Sequence, residues 1–112
     1  GKWFSDNPEV KSITGGKGIE FIDGRPSFTS WSKGKILFKE GLLNGTKSDF
    51  ALIYEKIKKL KGFKSRNEAK QWLKTNGLTP HHKSATEIEL IPTDLHKNVP
   101  HIGAASDLRG GI

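Results

Sequence analysis

The stretch L78-T-P-H-H-K-S-A-T-E-I-E-L-I-P-T-D-L-H-K-N-V-P-H101 decides how this chain is read, because it holds all four histidines of the protein in about a fifth of its length. After Gly77 the pattern changes period. Leu78 to His82 reads as extended chain, since Pro80 disfavours helix at the residue before it. Lys83 to Thr86 is polar and turn-like, and Glu87-Ile88-Glu89-Leu90-Ile91 alternates as a returning strand. Pro92 ends that strand. Thr93 is then expected to cap a short helix through Asp94, Leu95 and His96, with Asp94 placed for the helix dipole. The order is strand, strand, helix, with histidines on the first strand and on the helix.

Neighbouring side chains on a strand point to opposite faces. His81 and His82 therefore do not bind one metal ion together: one is free to be a ligand and the other to move protons. His96 can approach the same ion from the helix. His101 is out of helical phase with His96, but Pro100 removes a helical hydrogen bond and frees it from that phase. Three neutral imidazoles with an open fourth position are the pattern of a catalytic metal site, whereas a structural site is closed by four ligands.

Outward from this stretch, the chain reads as one α+β domain of 112 residues. Residues 1–18 are expected to be an irregular arm tacked down by Trp3 and Phe4. Residues 19–45 read as short strands and turns: Ile19 to Ile22 is a strand, Asp23-Gly24 a turn, and Lys35 to Lys39 a further strand, broken at Gly41 and Asn44-Gly45. Residues 46–77 read as a helical hairpin. In its first helix, 47–61, Phe50, Ile53, Tyr54, Ile57 and Leu60 make one apolar stripe; Thr46 or Ser48 can cap its start, and Gly62 stops it. The second helix runs from Arg66 to Thr75, with Ser65 and Glu68 as a capping box and Ala69, Trp72 and Leu73 facing inward. Residues 78–101 are the histidine unit and 102–112 a tail.

The net charge is +7, from 19 Lys and Arg against 12 Asp and Glu. Such a field favours a polyanion, nucleic acid first, and would equally suit an acidic protein. The absence of cysteine excludes a disulfide framework, a thiolate metal site and a cysteine nucleophile. No apolar run is long enough to span a membrane, and no signal-peptide pattern is present. With no methionine and a glycine at position 1, the chain is expected to be a fragment of something longer.

"TPHH" at 79–82, "ELIPTDLH" at 89–96 and "HIG" at 101–103 resemble the ββα-metal finger of HNH nucleases. More narrowly, they resemble the His-His nuclease toxin domains of bacterial polymorphic and contact-dependent inhibition toxins, relatives of the DNase colicins. "IEFIDGRPSF" at 19–28 and "AKQWLKTNGLT" at 69–79 resemble the lead-in of such domains, so the likeness spans about residues 19–109. The resemblance implies a ββα finger supported by the helical hairpin and the N-terminal strands. It implies that His81, His96 and His101 ligate one divalent ion (Zn, Mg, Mn or Ni) and that His82 is the general base. Glu89 stands where relatives carry an amide; it is a second catalytic candidate that could orient an imidazole, add a ligand oxygen or face solvent. Arg25 and Arg109 are candidates to clamp a phosphate through a bidentate fork. The implied activity is largely sequence-nonspecific DNA hydrolysis by a secreted or surface-delivered toxin acting in the cytoplasm of a target bacterium. The implied partners are DNA and a small acidic immunity protein, the domain being otherwise a monomer. Two alternatives fit the same residues: a metal-independent ribonuclease toxin, and a non-catalytic module that a metal merely staples.

Overall fold

The computed structural model describes residues 2–99 of the chain. Among them are four α-helices and two small antiparallel sheets, an α+β arrangement. No helix among the described residues is long and apolar enough to cross a membrane.

The first sheet has the order β1-β2-β3, from strands Lys2–Trp3, Ile19–Ile22 and Arg25–Pro26. Its hairpin turns at Asp23 and Gly24, both at positive φ, 52° and 76°. Two consecutive left-handed residues match the right-handed twist of the flanking strands, which is why Asp-Gly serves there.

Between β1 and β2 lies α1, Pro8–Thr14. This corrects the expected irregular arm. The helix has local signals: the Asn7 side chain accepts the Glu9 N–H at its start, Pro8 occupies the first turn, and Gly15 ends it at φ 67°. Seven residues present too short an apolar face for periodicity to be visible; only Val10 and Thr14 are buried. Trp3 packs against the core, whereas Phe4 is 66% exposed.

The second sheet has the order β4-β6-β5, from Lys35–Leu37, Glu87–Pro92 and Leu78–His82. Strand β6 is central, and four consecutive residues, Ile88 to Ile91, are buried. One cluster joins Ile88 and Leu90 to Ile53 and Ile57 of α2 (Asp49–Lys61) and to Ala69 and Leu73 of α3 (Arg66–Thr75). The other joins Ile91 to Val10, Ile19 and Phe28, and to Leu95 of α4 (Thr93–His96). The period-two alternation of β6 thus serves two cores, one on each face.

The helical hairpin forms as expected, with three differences. Leu60 is 66% exposed and leaves the apolar stripe of α2. Neither Thr46 nor Ser48 caps a helix N–H of α2; both side chains hydrogen-bond Asn44 instead. At α3, Ser65 accepts the Glu68 N–H at 3.2 Å. The Glu68 carboxylate reaches back one residue further than a capping box requires, to the Lys64 N–H. The strand–strand–helix order over 78–96 is present. Thr93 begins α4 without capping it: its hydroxyl bonds that of Thr79 at 2.7 Å, and the residue preceding the helix is Pro92.

Candidate functional site

Strand β5 is an edge strand, and it carries His81 and His82 side by side. Its register with β6 sets His81 opposite Glu89 and His82 opposite Ile88. Since directly paired residues share a face, His81 and Glu89 point to one side of the sheet, His82 and Ile88 to the other. The expected division of the pair is what is found.

On the first face, the His81 Nδ1 lies 3.1 Å from the His96 Nε2. Phe28, 1% exposed, packs beneath both rings: edge-on to His81 with centroids 5.0 Å apart, and tilted against His96 at 5.7 Å. The Thr79–Thr93 hydroxyl contact fixes the first residue of α4 against β5, three residues before His96. Two imidazole nitrogens bound to one tetrahedral ion at ordinary metal–nitrogen lengths sit ~3.3 Å apart. The observed contact is a hydrogen bond between the two rings, and its length is within a few tenths of an ångström of that separation, so His81 and His96 could hold an ion as two of its ligands. Among the described residues no group of three His, Cys, Asp or Glu side chains gathers for a metal. His101, the expected third ligand, and Arg109 lie outside the described residues.

Glu89 is 3% exposed, which excludes a solvent-facing role. It lies on the His81 face and takes a long hydrogen bond, 3.5 Å, from the Thr29 hydroxyl. Sheet parity keeps it from orienting His82.

On the second face, the His82 Nε2 lies 2.9 Å from the Asp49 Oδ2. Asp49 is 1% exposed, at the first turn of α2. The Asn44 N–H donates to both its oxygens, at 3.0 and 3.2 Å, and the Gly45 N–H donates to Oδ2 at 2.8 Å. Gly45 takes φ 79°, a left-handed conformation that glycine adopts without strain. Burial alone pushes the Asp49 carboxyl up. The donated hydrogen bonds from Asn44, His82 and Gly45, with the charge of a protonated His82, outweigh it and hold the carboxyl below its ordinary 3.8. The positive end of the helix dipole acts in the same direction.

Sequence reading missed Asp49. Its signal was there: positions 49, 53 and 57 recur every four residues, so Asp49 sits on the same inward row as Ile53 and Ile57. A carboxylate on an apolar row demands a buried polar partner. That the partner is His82, 33 residues later, is a tertiary fact.

A cleft beside the edge strand β5 is lined by His81, His82, Lys83, Arg25, Phe28 and Glu89. Arg25, the expected phosphate clamp, is one of these lining residues. Lys83 adds positive charge, partly engaged by Glu87 at 3.6 Å. Asp94 is a helix-terminus residue, as expected, paired with Lys97 at 3.4 Å.

Compared with protein-family models, with curated proteins and with solved structures, the chain finds no match.

Proposed function

We propose that this chain is a metal-dependent endonuclease of the His-His ββα-metal (HNH) kind, hydrolysing phosphodiester bonds of DNA with little sequence preference, as an antibacterial toxin domain. One observation carries the reading. A strand–strand–helix unit splits two adjacent histidines, so that His81 meets His96 at 3.1 Å while His82 is held apart by a carboxylate at 2.9 Å. The net charge of +7 and the presence of Arg25 and Lys83 at the cleft support a polyanionic substrate.

His81 and His96 would hold the cation, with His101 completing the set by resemblance. A bound divalent ion supplies Lewis-acid stabilisation of charge developing on a phosphoryl oxygen and on the leaving oxygen. The chain's own residues do the rest. Arg25 engages the phosphate and sets the scissile bond at the edge of β5. His82 accepts a proton from a water molecule, as imidazole is suited to do near neutrality. The water oxygen forms its bond to phosphorus, the bond from phosphorus to the 3′ oxygen breaks, and that oxygen leaves with the electron pair and is protonated from solvent. The basic surface also suits an acidic immunity protein, which would protect the producing cell by covering it.

The test is cleavage of plasmid DNA by the purified chain across a panel of divalent ions, with and without chelator. Cutting that requires the ion supports the reading. Chelator-insensitive cutting of RNA alone would replace it with a metal-independent ribonuclease. Tight metal binding without cleavage of either would leave a metal-stapled module.

A further inference from the structure

We propose that Asp49 is a positioning residue that fixes the neutral His82 ring as the Nε2–H tautomer and thereby makes Nδ1 the atom that takes the proton from water. The assignment rests on His82 being the general base, and it links the helical hairpin to the chemistry of the histidine unit.

The argument is a count of donors and acceptors. An ionised carboxylate only accepts. Asp49 is 1% exposed and already accepts the Asn44 and Gly45 N–H groups, so its contact with His82 at 2.9 Å requires the ring to donate from Nε2. A neutral imidazole has one donor and one acceptor nitrogen. With the hydrogen on Nε2, the lone pair is on Nδ1. Among the described residues the His82 ring makes no other hydrogen bond, and no buried side-chain nitrogen or oxygen lacks a partner. Nδ1 therefore belongs to the 11% of the His82 side chain that is exposed, and His82 is one of the residues that line the cleft with His81 and Arg25.

When Nδ1 takes the proton, the ring becomes a cation with its Nε2–H still bonded to Asp49. The buried anion stabilises that cation without accepting the proton itself, the arrangement known from bases oriented by a third group. A competing account gives Asp49 only the task of holding the 44–45 turn. It would be served by asparagine with its amide oxygen in the place of Oδ2, the position within reach of both the Asn44 and the Gly45 N–H groups. Asparagine in that orientation still accepts from the His82 Nε2–H, but it is neutral and does not stabilise the imidazolium that forms when Nδ1 takes a proton.

The experiment is 15N–1H correlation NMR of the His82 ring in the metal-free protein, at a pH well above the ordinary imidazole value of about 6.5, together with plasmid-cleavage kinetics of Asp49→Asn. The expected result is the Nε2–H tautomer in the unmodified protein, kept in Asp49→Asn because the amide oxygen in the place of Oδ2 still accepts from Nε2. The variant's kcat should fall about 100-fold, with KM and calorimetric metal affinity unchanged. An Nδ1–H tautomer in the unmodified protein overturns the assignment, and it does so even if the variant fails to fold. So does an Asp49→Asn protein that keeps its kcat. Failure of the unmodified protein to cleave with any ion is a separate result: it removes the nuclease reading, whereas the tautomer alone decides what Asp49 does to the ring.

Discussion

The two faces of the β5–β6 hairpin differ by a single residue step and give their histidines opposite environments. On one, His81 meets a second imidazole, His96, over the ring of Phe28, and the two facing nitrogens lie 3.1 Å apart. On the other, His82 meets Asp49, an anion from a helix outside the hairpin. The first environment suits sharing a cation; the second suits holding a proton in place. A strand makes this separation through its pleat alone, and β6 maintains it because each of its faces is anchored in a different core.

The largest expected effect breaks the comparison along that line. His82→Ala should lower DNA cleavage by about 10²–10⁴-fold, the usual contribution of a general base, and leave calorimetric metal affinity nearly intact. His81→Ala or His96→Ala should weaken metal binding itself. If His82→Ala alone destroyed metal binding, the roles of the two faces would have to be exchanged.

The next effect treats the faces as equals. Ile88 and Ile91 are each 0% exposed, one in each core. Ile88→Ala and Ile91→Ala should each cost about 2–5 kcal/mol in denaturant unfolding. Only Ile91→Ala should also lower metal affinity, because its cluster includes Phe28 and Leu95, which seat His81 and α4. Equal metal affinity in both variants would mean that the His81–His96 geometry does not depend on the core beneath it.

Much of this was legible in the sequence because it rests on local rules. The Asp23-Gly24 turn, the arrest of α2 at Gly62 and the opposite facing of His81 and His82 follow from backbone geometry that each residue carries with it. What was not legible is tertiary or too short. Helix α1 has caps but only seven residues, and Leu60 continues the periodicity of α2 past the end of what covers it. Thr93 illustrates a third kind of miss. Thr93 is a good capping residue by type, but β5 offers its hydroxyl a partner in Thr79, and that contact prevails. The site divides in the same way: parity predicted that His82 would turn away from His81, but which carboxylate received it was decided by the packing of α2 against β6.

Acid sharpens the second face. The Asp49 carboxyl is held below its ordinary 3.8 in the folded chain, so between the two values the unfolded chain binds more protons than the folded one. Its contribution to stability is fully present above pH 3.8 and is lost as pH falls through the lowered folded value. Urea midpoints measured from neutral pH downward should fall across that window, and Asp49→Asn should flatten the fall. Glu55 is also held low, by Arg66 and Lys58, and has the same sign. It is exposed to salt screening, so raising the ionic strength should leave the Asp49 part standing. A fall that salt abolishes would place the acid sensitivity on the surface.

The smallest expected effect asks whether the faces are mechanically separate. Thr79 lies on the His81 face of β5, and its hydroxyl holds Thr93 at the start of α4, 2.7 Å away. Thr79→Val preserves shape but leaves the Thr93 hydroxyl without that partner, at a cost of about 1 kcal/mol. The contact places His96 relative to His81, so the loss should appear as metal affinity weakened by up to about fivefold. His82 is reached through Asp49 from the other face, so its tautomer should not change, and kcat at saturating metal should hold. If kcat fell as far as metal affinity did, the position of α4 would feed both faces, and the division that the pleat imposes on the histidines would not extend to their functions.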